Sequence, residues 1–191
     1  MEVTPTQLIV LLREGTAPLK IRAAIARGTL PLPPAALLES LDILADDPDA
    51  GVQAEALASF ERLPATVVRG VVSSRTLDPG LLDRLAHRYG GNQTVLQDIA
   101  RNSAAADATV AFIAALPFPA TLEMIGRNQA RLERSPETVA ALFANPATPT
   151  AIVQLWQEHV GRSTPAPAEV EAVVPDEDAR TFAPLLVDED E

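Results

Sequence analysis

Residues 37–49 read Leu37-Leu38-Glu39-Ser40-Leu41-Asp42-Ile43-Leu44-Ala45-Asp46-Asp47-Pro48-Asp49, and Val52-Gln53-Ala54-Glu55-Ala56-Leu57 follow closely. Leu37, Leu38, Leu41 and Leu44 recur at three- and four-residue spacing, which places them on one stripe of a helix. Pro33-Pro34 stand at its start. Asp47-Pro48 then open a second helix with apolar positions Val52, Ala56, Leu57 and Phe60, ending near Pro64. Two helices joined by so short a turn bury their stripes against one another, so Leu41 and Leu57 are expected to face each other.

The same punctuation recurs on both sides of this pair. Thr4-Pro5 reads as N-cap and first helical residue before Leu8, Leu11 and Leu12, and Gly15 closes that helix. Pro18 starts a helix carrying Leu19, Ile21 and Ile25, ended by Gly28. Later starts are Asp78-Pro79, Asp107, Ser135-Pro136 and Thr148-Pro149. Oxygen-bearing side chains there can accept the orphan amides of a first turn. No alternating Val/Ile/Thr pattern marks a strand. The 33 Ala and 24 Leu of 191 residues favour helix, and aromatics are only 4%, so the core is expected to be aliphatic. Helices of about 8 to 14 residues are too short to stand alone in water, so they must stack. The chain is expected to be all-α, with roughly ten or eleven short helices in recurring pairs of the kind that build a solenoid.

The 37–57 unit resembles a HEAT repeat: an aliphatic first helix, an Asp-Pro-Asp turn (Asp47-Pro48-Asp49) and an Ala-rich second helix beginning at Val52. Gln53 stands where that family has Arg, which weakens the Asp–Arg ladder the resemblance implies. Further on, Leu96-Gln97-Asp98-Ile99-Ala100-Arg101-Asn102, Leu122-Glu123-Met124-Ile125-Gly126-Arg127-Asn128 and Val139-Ala140-Ala141-Leu142-Phe143-Ala144-Asn145-Pro146 are similar to the leucine-rich repeat variant. The Leu-Pro-Leu-Pro-Pro layout ahead of Asp-Pro-Asp is also similar to that of bacterial helical-repeat proteins. These resemblances imply a right-handed α-solenoid over residues 1–161 and bring no activity with them.

The composition shifts near Gly161. Ser163 to Glu191 holds nine acidic residues and one basic one, Arg180, out of a chain total of 26 acidic and 15 basic residues and a net charge of −11. Residues 162–191 therefore read as a disordered, acidic, Pro-containing tail. Within it, Phe182, Leu185 and Leu186 form an apolar cluster that reads either as a docking peptide or as a solvated end.

Charge and composition exclude several functions. A nucleic-acid binder needs a basic footprint, which a net charge of −11 does not supply. With no Cys, disulfides, thiol catalysis and cysteine metal sites are excluded. The apolar run Leu8–Leu12 is too short for a signal sequence, and Pro117 and Pro119 interrupt the charge-free run from Ala108 to Leu122, so no membrane span is expected. These features read as cytoplasmic. His87 and His159 sit in no metal-ligand pattern, Asp46, Asp47 and Asp49 are explained by the helix start they precede, and Gly90-Gly91 reads as a turn. No catalytic, cofactor-binding or metal residue emerges, and the chain reads as non-enzymatic. Trp156 sits at core spacing with Ile152, Val153 and Leu155.

Two groups remain as candidate partner-binding residues. Asn102, Asn128 and Asn145 each follow a helix. There Asn can close the helix in left-handed backbone, or form a ladder that holds a peptide backbone. Arg127, Arg131 and Arg134 fall within eight residues, and Arg101 precedes the equivalent Asn one unit earlier. This basic patch is either a solvated face with internal ion pairs or a site for an acidic peptide. The expected function is a binding scaffold for a protein or peptide partner. The alternative is self-assembly through the solenoid ends, at Leu8, Leu11 and Leu12 or at Leu155 and Trp156. An enzyme on a HEAT-like scaffold, such as the DNA glycosylases that use this architecture, ranks behind both, because those need a basic groove.

Overall fold

The computed structural model describes residues 4–163, which form twelve helices and no strand. They are α1 (Pro5–Arg13), α2 (Leu19–Ala26), α3 (Pro34–Leu44), α4 (Ala50–Arg62), α5 (Ala65–Val72), α6 (Pro79–Arg88), α7 (Gln93–Arg101), α8 (Asp107–Ala114), α9 (Pro119–Gly126), α10 (Gln129–Arg134), α11 (Pro136–Ala144) and α12 (Thr150–Ser163). The acidic segment and its Phe182, Leu185 and Leu186 lie outside the described residues.

Local chemistry explains most of the boundaries. Thr4 and Gln7 form a reciprocal capping box at α1. The side chains of Asp49, Asp78, Asn92, Asn128 and Ser135 each accept first-turn amides, at α4, α6, α7, α10 and α11. Pro18, Pro33 and Pro64 stand at the N-caps of α2, α3 and α5, with fixed φ and no amide of their own to satisfy. Gly15 (φ 69°) and Gly28 (φ 71°) end α1 and α2 in left-handed backbone. In both, the amide after the glycine returns to a carbonyl five residues back, Thr16 to Leu11 and Thr29 to Ala24.

Three expected starts move, one of them at Thr148-Pro149: α12 begins at Thr150, and the Thr148 hydroxyl donates to the Leu142 carbonyl (2.7 Å). Asp49, not Asp47, caps α4, accepting from the amides of Gly51 (2.9 Å) and Val52 (3.0 Å). Asp47 instead accepts the amide of Asp49 and the guanidinium of Arg22 from α2. Ala106 is the N-cap of α8, and Asp107 is its first residue.

Helices pack on near neighbours along the chain. α1 lies on α3, α2 on α4, α3 on α5, α5 on α7, α6 on α8 and α7 on α9. The six-residue α10 lengthens the step beyond, so α8 packs on α11 and α9 on α12. One apolar cluster runs through these contacts from Leu8 to Leu142, dominated by Leu, Ile, Val and Ala, and Trp156 packs against it. The aliphatic core expected from composition is therefore present.

The expected burial of Leu57 opposite Leu41 is not found. Leu41 is buried (1% exposed), but Leu57 is 38% exposed. The buried stripe of α4 is Val52, Ala56, Ser59 and Phe60, at spacings of four, three and one. Leu57 sits one residue, about 100° of helical turn, beyond Ala56 and off that stripe. Gln53 bridges within the pair, donating from Nε2 to the Ala45 carbonyl (2.9 Å). Asp–Arg pairs between helices exist nonetheless, from other positions: Arg22–Asp47, Arg84–Asp42 and Arg69–Asp98.

Candidate functional site

The recurring asparagines do two different things. Asn102 ends α7 with φ −70° and ψ 126°, and Asn145 ends α11 with φ −85° and ψ 116°. Both are extended, so neither closes its helix by left-handed backbone. Both are buried. The Asn102 amide donates to the carbonyls of Val72 (2.6 Å) and Ser74 (2.9 Å), at the end of α5. Asn145 does the same with Ala114 (2.8 Å) and Leu116 (2.9 Å), at the end of α8. Each carbonyl oxygen turns back to accept an amide two residues on, that of Ala104 (2.8 Å) or Ala147 (3.0 Å). Each Asn thus supplies a donor to the buried last carbonyl of a neighbouring helix, Val72 or Ala114, and a second to a part-buried carbonyl two residues on, of which Leu116 also accepts the Phe118 amide. Asn128 is exposed and caps α10, accepting the Arg131 amide (3.2 Å).

The arginines divide likewise. Arg131 is buried (4% exposed) and points inward. Its Nη1 donates to the Ala105 carbonyl and to Asp107 Oδ1, both at 3.1 Å, and its Nη2 donates to the Asn102 carbonyl at 3.3 Å. Asn102 is therefore held from both sides, giving hydrogens to α5 and receiving one from α10. Burial pulls the Arg131 guanidinium below its ordinary value, Asp107 opposes that pull and Arg134 adds to it. Arg134 completes the joint from outside, forking onto both oxygens of Asp107 (3.1 and 3.2 Å), and that hydrogen bonding raises its own value.

Arg101, Arg127 and Arg134 are the exposed cations of the group, and each lies at a helix C-terminal end. Each already holds an acid. Arg101 shares Asp98 with Arg69, and Arg127 forks onto Glu123 one turn earlier (2.6 and 3.2 Å). Of the six candidate residues, Asn102 and Arg131 are consumed by the fold, while Arg101, Arg127, Asn128 and Arg134 face outward.

Two further surfaces stand out, the second of them at the end where the sequence marked Leu8 and Leu11 for self-assembly. The first is a polar cleft where α1, α3 and α6 meet. One lobe of about 460 Å³ is lined by Arg13, Asp42, Ile43, Asp46, Asp78 and Arg84; a second of about 490 Å³ shares Asp42, Asp46 and Arg84 and adds Asp83, His87 and Arg88. Asp46, read as part of a helix start, is exposed at this cleft. Residue spacing carried no signal for it, because Asp42 lies in the last turn of α3 while Asp46 falls in the turn beyond its end. The second surface is an apolar groove of about 590 Å³, lined by Leu8, Leu11, Ala17, Ile21, Leu30 and Leu32 together with prolines 5, 18 and 31.

Both histidines are engaged in packing. His87 stacks on Phe112 (centroids 3.8 Å apart), with Nδ1 2.9 Å from the Asp83 carbonyl. His159 stacks on Trp156 and lies 2.8 Å from Glu133. Comparisons with protein-family models, curated proteins and solved structures returned no match to this chain.

Proposed function

We propose that the chain is a non-enzymatic binding scaffold, built as a right-handed, HEAT-like α-solenoid, for a protein or peptide partner. The observation that carries this reading is the repeated joint at Asn102 and Asn145, set among helices that pack only a few elements apart. Short-range, repeated packing yields an extended surface rather than an enclosed reaction site. Exposed Arg101, Arg127 and Arg134, together with Asn128, make up the partner-facing ridge, and an acidic segment is the chemistry that fits it. Such a segment displaces Asp98, Glu123 and Asp107 from exposed pairs that individually contribute only ~0–1 kcal/mol. With a net charge of −11, nucleic acid is not the partner in this reading. No helix among the described residues is long and apolar enough to cross a membrane; a cytoplasmic location belongs to the proposal.

The groove beside Leu8 and Ile21 favours a second reading, self-association through that end. Affinity capture from the native host, with full-length protein and with an Arg101→Glu/Arg127→Glu/Arg134→Glu variant, tests the ridge. A specific protein captured about tenfold less by the variant (about 1.4 kcal/mol) supports it. Equal capture by both contradicts it, and a concentration-dependent mass in light scattering favours the second reading.

A further inference from the structure

The apolar groove at the α1–α2 end needs an occupant. It is formed where α1, α2 and the Leu30–Pro31–Leu32 connection meet, and Val10, Leu19 and Ile21 stand exposed nearby. Apolar surface of this kind, edged by charge, marks a contact site. Residues 4–32 carry Arg13, Lys20, Arg22 and Arg27 against Glu14, and acids from later in the chain answer three of these four cations. Arg13 and Arg22 are engaged by Glu39 and Asp47, and Arg27 lies 4.0 Å from a Glu55 oxygen. Lys20 is exposed between Leu19 and Ile21 and has no ion pair among the described residues.

The matching chemistry lies in the same chain. Phe182-Ala183-Pro184-Leu185-Leu186-Val187 is a short apolar segment, followed at once by Asp188, Glu189, Asp190 and Glu191. We propose that this segment docks in the α1–α2 groove, with Phe182, Leu185 and Leu186 against Leu8, Leu11, Ile21 and Leu30 and the four acids beside Lys20 and Arg27. The other basic region fits it less well, because Arg131 is buried and Arg101, Arg127 and Arg134 all hold acids, whereas Lys20 holds none among the described residues. The eighteen residues between Ser163 and Phe182 span at most roughly 60–65 Å, at 3.3–3.6 Å each. The groove of the same chain or of a second copy is the destination. Tethering supplies a local concentration of about 1 mM, so a contact with an intrinsic Kd of about 1 mM is half populated. Docking on this groove deepens the self-association reading if it occurs between copies, and stands without it if it occurs within one. In both cases it is independent of the arginine ridge.

The absence of cysteine makes the test direct. The full chain with Thr181→Cys, carrying a nitroxide, is compared with its reduced form by amide NMR. The expected result is an intensity loss of about twofold or more at Leu8, Leu11, Ile21 and Leu30, diminishing above ~0.3 M salt, with Arg127 and Arg134 unaffected. Adding Phe182→Ala/Leu185→Ala/Leu186→Ala, or separately Ile21→Asp on the exposed rim, abolishes the loss. Mixing nitroxide-labelled chain with isotope-labelled chain assigns the contact to one molecule or two, and either location supports the proposal. Three results overturn it: no loss in the groove, a loss centred on Arg127 to Arg134, or groove shifts that depend on concentration and persist in the triple-alanine chain. The last would show a second copy's folded part in the groove.

Discussion

Asn102 and Asn145 make the same joint at two places in the chain, each donating both amide hydrogens to two carbonyls at the end of a neighbouring helix. Removing the Asn102 side chain takes the donor from the buried Val72 carbonyl and the part-buried Ser74 carbonyl; removing that of Asn145 takes it from the buried Ala114 carbonyl, while Leu116 keeps the Phe118 amide (2.9 Å). An unsatisfied buried polar group costs ~1–3 kcal/mol. Asn102→Ala and Asn145→Ala are each expected to lose at least that much in urea denaturation. Asn128→Ala removes only an exposed cap, and a loss of about 1 kcal/mol is expected. If all three substitutions cost the same, the inward and outward roles are not distinct.

Gly126 sets how closely α9 and α12 approach. A Cβ added there would lie 2.1 Å from Ile152 Cγ2, with further contacts at 3.3 and 3.4 Å. Alanine favours helix over glycine by ~1 kcal/mol, but overpacking of this kind costs ~1–3 kcal/mol. The clash decides, because Ile152 is itself buried. Gly126→Ala is expected to loosen α12, read as faster hydrogen exchange there and a red shift of Trp156 fluorescence. Ile152→Ala in the same chain should relieve the clash and partly restore protection. Slower exchange in Gly126→Ala alone would contradict the packing.

Leu41 and Leu57 are expected to respond differently to truncation. Leu41→Ala empties a filled site and should cost ~2–5 kcal/mol. Leu57→Ala acts at an exposed position and should stay within about 0.5 kcal/mol. Thermal unfolding of the two variants side by side checks the register of α4.

Much of the helical pattern was legible because it is written in local chemistry. Thr4, Asp78 and Ser135, with the prolines that follow them, announce α1, α6 and α11; Gly15 and Gly28 end α1 and α2 as their left-handed backbone requires. The start of α5 at Ala65 was hidden because Pro64 reads equally as the end of the previous helix. Asp47 and Asp49 both look like caps, and only the tertiary position of Arg22 decides which one is free to cap. The site was less legible for the same reason. Asn102 and Asn128 follow near-identical sequences, Ala100-Arg101 and Gly126-Arg127, yet one turns inward and one outward. The difference lies in whether a neighbouring helix presents open carbonyls at that point, and residue spacing does not carry that information.

Arg131, a candidate partner-binding cation by its sequence position, is an internal joint in the structure. Its guanidinium reaches Ala105, Asp107 and Asn102 at once, a geometry that a lysine ammonium cannot reproduce. The decisive measurement is the unfolding free energy of Arg131→Met in urea, set against Arg127→Ala. Removing Arg131 leaves the Ala105 carbonyl without a donor and Asp107 with Arg134 alone, while the Asn102 carbonyl keeps the Ala105 amide (3.2 Å); the expected cost is ~1–3 kcal/mol, against no more than ~1 kcal/mol for Arg127→Ala. A loss below about 0.5 kcal/mol for Arg131→Met, the range of ordinary surface substitutions, would contradict the inward joint and return Arg131 to the surface.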